Sequence, residues 1–269
     1  MAERYAVIGH PIAHSRSPWI HARFARATGE DIEYGRIDAG PEEFAGAVER
    51  FRRAGGKGLN VTVPHKEAAF RLSSERSARA STAEAVNTLV LGEAIFGDNT
   101  DGAGLVRDIE VNQGYRLRGR ATLLLGAGGA ARGVVGALLE AGVARLVIGN
   151  RTVERARELA RRFPPVAACG YGELGGERFD LIVNATSAGL QNAALPLPAP
   201  LFSPRVLAYE MVYGRETPFL ATARAAGARA CDGLGMLVEQ AAESFLVWRG
   251  VRPDTGPILA ALRAELRGT

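Results

Sequence analysis

The chain has 269 residues, of which 47% are hydrophobic and 23% charged, with a formal net charge of +4. That length holds one large or two modest domains, and the balance is that of a globular chain rather than a disordered one. The basic excess sits on scattered arginines such as Arg50, Arg116 and Arg224, without zinc-finger spacing or an aromatic RNA-binding motif. A solvated basic surface is therefore read in preference to nucleic-acid binding.

In chain order, residues 5–9, 32–37 and 58–63 read as strands, with helices over 18–28 and 41–53 between them. Arg4, His10 and Pro11 come before any long apolar run, so no signal peptide is expected. Residues 87–91 and 94–98 form a hairpin turning at Gly92-Glu93, expected at the edge of the first sheet. Asp101-Gly102 then leads into a helix over 103–112. Further strands are expected over 121–126, 145–149, 180–184 and 205–212, with helices over 130–141 and 153–163. The charge-free stretch 181–204 carries Asn184, Thr186, Gln191, Asn192 and four prolines, which excludes a membrane-spanning helix. Two closing helices cover 236–249 and 254–266. This alternation means βαβ units in two α/β domains, with a boundary near Asp101-Gly102 and a Rossmann-like unit starting near Ala121. Ligands in such folds lie at the carboxyl ends of strands, so a cleft between the domains is expected. Cys169 and Cys231 form no CxxC pair, which fits a reducing, cytoplasmic setting.

The strand at 121–125 runs into Gly126, Gly128, Gly129 and Ala130, and a helix follows. Glycines there permit a tight turn on which a pyrophosphate meets a helix N-terminus; a purely structural turn is the plainer alternative. At the tip of the next strand stand Asn150, Arg151 and Thr152, with Arg155 beyond them. NAD enzymes place an acid at this tip for the ribose hydroxyls. Arginine instead suits a 2′-phosphate, so NADP is expected over NAD. Asn184, Thr186 and Ser187 end a further strand and suit a wall beside a nicotinamide, or an ordinary turn.

Polar residues also collect where strands of the first half end: His10, His14, Ser15 and Ser17; Asn60, Thr62 and Lys66; Asn99 and Asp101. Plainer readings exist for each. Ser17 before Pro18 and Asp101 before Gly102 would cap helices, and Lys66 would be a surface residue early in a helix. Yet of 33 Lys+Arg residues only Lys57 and Lys66 are lysines. Lysine gives up a proton where arginine does not. Lys57, between Gly56 and Gly58, reads as a turn residue before a strand. No HExxH occurs, and Pro11 between His10 and His14 argues against a helical metal pair, so no metal site is expected. Neither lysine has a tyrosine four residues before it, which excludes the Tyr-x-x-x-Lys arrangement.

These segments, with Ala85-Val86-Asn87-Thr88, Gly126 to Arg132, Asn150-Arg151-Thr152, Asn184 to Gly189 and Asp232 to Gln240, resemble shikimate dehydrogenase in register over nearly the whole chain. The resemblance implies a substrate-binding domain over 1–101, completed by 236–269, and a Rossmann-like NADP-binding domain over 102–235. It implies that Lys66 and Asp101 form the catalytic pair and that Ser15 and Ser17 hold the substrate carboxylate. Thr62, Asn87 and Gln240 would bind the ring hydroxyls and carbonyl region, with Tyr213 near the carboxylate. Gly233 and Met236 join the residues already named as cofactor contacts. The implied reaction is reduction of 3-dehydroshikimate by NADPH in aromatic amino-acid biosynthesis, by a cytoplasmic monomer or homodimer. The resemblance calls for Asp where Glu210 stands, which puts the local hydrogen bonding in question. Rival readings are a quinate/shikimate dehydrogenase using NAD and a non-catalytic sensor of NADP or a cyclic acid.

Overall fold

The computed structural model describes residues 2–198 and 200–267. The chain divides into two compact units, residues 1–104 with 238–269 and residues 105–237. Among the described residues no helix is long and apolar enough to cross a membrane.

The first unit holds a six-stranded mixed sheet in the order β2-β1-β3-β5-β6-β4. Its strands are β1 (Glu3–Gly9), β2 (Ile32–Asp38), β3 (Gly56–Val61), β4 (Glu75–Arg76), β5 (Thr88–Leu91) and β6 (Ile95–Asp98). β1 pairs parallel with β2 and β3, and β5 runs antiparallel to both β3 and β6. The hairpin is therefore internal rather than at the edge, because the two-residue β4 pairs with the outer side of β6. Lys57 lies within β3, so its flanking glycines belong to a strand and not to a turn. The Gly58 position explains this choice: a Cβ there would lie 2.5 Å from Trp248 Nε1.

Helices α1 (Ser17–Thr28), α2 (Phe44–Arg53), α3 (Lys66–Leu72) and α4 (Ala78–Ala83) belong to this unit. A core of Ile8, Val48, Leu59, Val86 and Leu89 lies beneath them. Ser17 is the first helical residue rather than a cap, and its N–H is bound by Ser15 Oγ at 3.3 Å. Helix α5 begins at Asp101 itself, and the expected helix over 103–112 changes at Asp108 into a π-wound turn ending at Asn112.

The second unit is a doubly wound parallel sheet in the order β12-β11-β10-β7-β8-β9. Its strands are β7 (Ala121–Leu125), β8 (Arg145–Asn150), β9 (Ala167–Gly170), β10 (Leu181–Asn184), β11 (Leu207–Glu210) and β12 (Arg229–Asp232). Side chains alternate across it. Leu124, Ile148 and Val183 face a core with α6 (Gly129–Glu140) and α7 (Val153–Ala160), while Leu123, Val147 and Ile182 face α8 (Pro218–Ala225). The strand expected over 205–212 is only four residues long, and α7 stops before the expected 163. Strand order reverses between β7 and β10, which is where such a sheet leaves a crevice for a dinucleotide. Helices α9 (Leu234–Arg249) and α10 (Gly256–Arg267) close the chain.

One buried group of the first unit bears on its response to acid. His21 of α1 is fully buried and stacks on Tyr34 at 4.2 Å, with its Nε2 3.2 Å from Asn60 Oδ1. Burial pushes its pKa down to about 3, against the opposing effect of the hydrogen bond that Nε2 donates to Asn60. Below pH ~6.5 the unfolded chain takes up a proton here that the folded chain refuses, so stability present above that pH is lost on acidification. Wild type is expected to lose about 2–3 kcal/mol more than His21→Phe between pH 6.5 and 4.5, measured by urea unfolding. Equal losses in the two proteins would assign the acid sensitivity elsewhere.

Candidate active site

In the first unit, the ends of β1, β3 and β6 and the start of β5 share one edge of the sheet, because Asn60 pairs with Thr88 and Thr88 with Asp98. Just past β3, His65 is buried against Phe44 and its Nε2 lies 2.8 Å from the Ala39 carbonyl. That fixes the start of α3, where Lys66 is the first residue and its carbonyl accepts from Val86 N–H at 2.9 Å. At the end of β6, Asp98 is gripped by Arg79 through two bonds of 2.7 and 2.6 Å and by the Ser77 hydroxyl. Burial opposes ionisation of Asp98, but the Arg79 guanidinium and the Ser77 hydroxyl hold its carboxyl below the usual range. Asn99 then ties the turn together, donating to the Ala85 carbonyl and accepting from Asp101 N–H.

These supports bring Lys66 Nζ to 2.5 Å from Asp101 Oδ2, with the two side chains only 15% and 6% exposed. Lys66 is therefore not a solvated surface lysine. The other oxygen of Asp101 accepts from Asn87 Nδ2 at 2.8 Å, and that same nitrogen reaches Gln240 Oε1 of α9 at 3.3 Å. Lys66, Asp101, Asn87 and Gln240 thus form one cluster. Ser15 and Ser17 form a second, with their hydroxyls 3.2 Å apart. Thr62 follows β3 by one residue, its methyl packed where Gly9 leaves room for it. Tyr213 lies in the second unit, half-buried.

Among the residues that join the two clusters, sequence reasoning missed Tyr34 and Ser244 and gave Asn60, Thr88 and Thr100 no role of their own. Tyr34 bonds Asn60 Oδ1 at 2.7 Å and lies within hydrogen-bonding reach of Ser17. Asn60, Thr88, Thr100 and Ser244 continue inward, all buried. The available signal was a polar side chain inside an apolar strand, as at Asn60 and Thr88.

In the second unit, Gly126 follows β7 with φ +109 and lies so near the end of β10 that a Cβ would approach the Ala185 carbonyl oxygen to 3.2 Å. Gly128 opens α6 with no side-chain cap and nothing within 4 Å of where a Cβ would project, and Gly129 and Ala130 form the first turn. The uncapped N–H groups of this twelve-residue helix favour an anion. At the tip of β8, Asn150 Nδ2 bonds the Thr152 carbonyl at 2.8 Å, and Arg151, Thr152 and Arg155 are exposed. The corner and the acid-free tip fit a phosphorylated dinucleotide. Asn184 is buried, and its Oδ1 accepts from both N and Oγ1 of Thr186; Ser187 is exposed beside it. Gly233 packs against the Met211 carbonyl, and Met236 is buried in the core.

Glu210 resolves the question its identity raised. It is fully buried and accepts from Asn184 Nδ2 at 2.7 Å, Thr217 Oγ1 at 3.0 Å and Val212 N at 3.1 Å. Burial raises its pKa while these three donors oppose the rise. The carboxylate holds the end of β10, the turn after β11 and the cap of α8 together.

Strand order and glycine corner make this a dinucleotide-dependent α/β dehydrogenase in class. Family models described as Shikimate dehydrogenase substrate binding domain, Shikimate / quinate 5-dehydrogenase and Shikimate 5'-dehydrogenase C-terminal domain match residues 7–89, 109–192 and 233–263. The chain belongs to the shikimate dehydrogenase family. The Shikimate dehydrogenase (NADP(+)) of Aromatoleum aromaticum is 58% identical over 275 residues, covering 99% of each chain. Among solved structures, an Ael1 enzyme from Pseudomonas putida matches with TM-score 0.91 at 49% identity, over 97% of this chain and 98% of that one. Shikimate 5-dehydrogenase from Thermus thermophilus, solved with NADP(H) and shikimate, matches with TM-score 0.87 at 40% identity, over 97% and 99%.

Proposed function

We propose that the chain catalyses the reversible reduction of 3-dehydroshikimate to shikimate with NADPH, a step toward aromatic amino acids. The observation that carries the reading is the largely buried Lys66–Asp101 pair locked by Asn87. Relatives named Shikimate dehydrogenase (NADP(+)) support the choice of reaction.

NADPH supplies the hydride that converts the ketone carbon into an alcohol carbon. The protein must supply position, electrostatic stabilisation and a proton. Lys66 does the last two, since its ammonium stabilises the oxygen as negative charge develops there and then donates a proton to it. Asp101 keeps the ammonium aimed, and Asn87 keeps Asp101 from turning. Ser15 and Ser17 hold the substrate carboxylate, aided by Tyr213, while Thr62, Asn87 and Gln240 bind the ring. Gly126, Gly128, Gly129 and Ala130 cradle the pyrophosphate. Asn150, Arg151, Thr152 and Arg155 hold the 2′-phosphate, and Asn184, Thr186, Ser187, Gly233 and Met236 form the nicotinamide side. Cys169 and Cys231 belong to no CxxC pair, which agrees with a reducing, cytoplasmic setting.

Absorbance assays of NADPH consumption with 3-dehydroshikimate test the reading, with NADH and with quinate oxidation run alongside. Turnover with NADPH and 3-dehydroshikimate is expected to dominate, and Arg151→Ala to raise KM for NADPH about tenfold or more while changing that for NADH little. Absence of NADPH consumption, or a preference for NADH, overturns it.

A further inference from the structure

Ser244 lies on α9 and is fully buried. A helical serine ordinarily satisfies its hydroxyl on the carbonyl four residues back, and Ser244 Oγ does lie 3.0 Å from the Gln240 carbonyl. Such a serine needs no other partner. This one has three, from three separate segments: Asn60 Nδ2 of β3 at 2.9 Å, Thr88 Oγ1 of β5 at 2.8 Å and Thr100 Oγ1 at 3.2 Å.

The direction of each bond follows from the backbone. Thr100 N–H donates to Asn87 Oδ1 at 2.8 Å, so that atom is the amide oxygen and Nδ2 faces Asp101. Asn87 Oδ1 also accepts from Thr88 Oγ1 at 2.9 Å, which leaves Thr88 to accept from Ser244. Thr100 Oγ1 accepts from Asn87 Nδ2 at 2.9 Å and shares its own proton between Asn87 Oδ1 and Ser244 Oγ, each at 3.2 Å. Both lone pairs of Ser244 are then taken, by Asn60 and Thr100, and its proton is shared between Thr88 and the Gln240 carbonyl.

We infer that Ser244 is a positioning residue for the Lys66–Asp101 pair: it fixes the Thr88 and Thr100 hydroxyls, which fix the Asn87 amide, which fixes the Asp101 carboxylate under the ammonium. The inference rests on the catalytic roles proposed above for Lys66 and Asp101. Ser244 touches neither reacting group, so its loss acts on turnover through the Asn87 amide that Thr88 and Thr100 hold. A residue that merely filled the core would change stability without that dependence.

The test is a double-mutant cycle on the full chain, with Ser244→Ala made in the wild type and in Asn87→Ala. In the wild-type background, kcat is expected to fall about tenfold or more, with KM for 3-dehydroshikimate and NADPH within about threefold. In the Asn87→Ala background the same change is expected to cost less than about twofold, because the group it positions is gone. Ser244→Cys, which keeps a weak donor in a similar volume, is expected to fall between serine and alanine. Should Ser244→Ala not fold, Ser244→Cys and Thr100→Val carry the same cycle with the same expected dependence. A kcat within about twofold of wild type, or equal losses in the two backgrounds, overturns the inference. Those outcomes differ from failure of the underlying reading, which would show as a wild-type protein inactive on 3-dehydroshikimate.

Discussion

Replacing Lys66 with alanine is expected to lower kcat about a thousandfold, with the KM values for ketone and NADPH staying within a few-fold. The size follows from two losses at once. The variant gives up the cation that faces the developing alkoxide and the proton that quenches it, each a large contribution in a largely buried site. It also strands Asp101, whose Oδ2 loses its 2.5 Å partner while Asn87 still holds Oδ1. Lys66→Arg restores charge but releases a proton poorly, so its activity is expected to stay nearer to that of alanine than to that of lysine. Steady-state assays with saturating NADPH measure both. Turnover of Lys66→Ala within about tenfold of wild type would reduce the lysine to a binding contact.

The second large effect is structural. Gly235→Ala is expected to destabilise the protein by about 3–5 kcal/mol, read as a lowered urea midpoint or loss of soluble protein. A Cβ at this position would lie 1.9 Å from Asp108 Oδ1 and 2.3 Å from its Cγ. Asp108 has nowhere to go. It is fully buried at the start of the π-wound turn, with the Tyr209 hydroxyl 2.5 Å from Oδ2 and Asn112 Nδ2 3.0 Å from Oδ1. Its carboxylate also raises the pKa of Tyr209, after the larger effect of burial. Displacing the carboxylate leaves a buried tyrosine hydroxyl without an acceptor, which adds to the overlap itself. A midpoint unchanged to within about 1 kcal/mol would show that the π turn yields more readily than its packing implies.

Much of the second unit was legible in the residues, because β7, β8 and β10 are continuous apolar runs that no exposed element tolerates. Strands β9 and β12, reading AACG and RACD, carry no such run and were missed. They are edge strands that borrow their conformation from the ladder beside them. In the first unit β4 is too short for any periodicity, so the hairpin looked like the edge. Lys57 shows the limit of local reading: Gly56 and Gly58 resemble turn residues, yet they are small because Phe51 and Trp248 press on the strand. Lys66 stood out by its rarity among arginines, and Asp101 came with the family pattern. Asn60, Thr100 and Ser244 were invisible as a set, since hydrogen bonding among small side chains from distant segments leaves no spacing to read.

The first unit is written in two pieces, with residues 105–237 inserted between them. Trp248, whose indole Nε1 bonds the Leu89 carbonyl at 3.0 Å, and Arg249, which pairs with Glu3 and Glu30, both arrive with the later piece. During synthesis the inserted unit has all its strands before α9 leaves the ribosome. Until then Asn60, Thr88 and Thr100 lack their Ser244 partner, and the Asn87 amide that holds Asp101 lacks Gln240. A nascent chain halted before Val238 would therefore carry the ionic pair and Asn87 but not Gln240 or Ser244, the later-made residues tied to them.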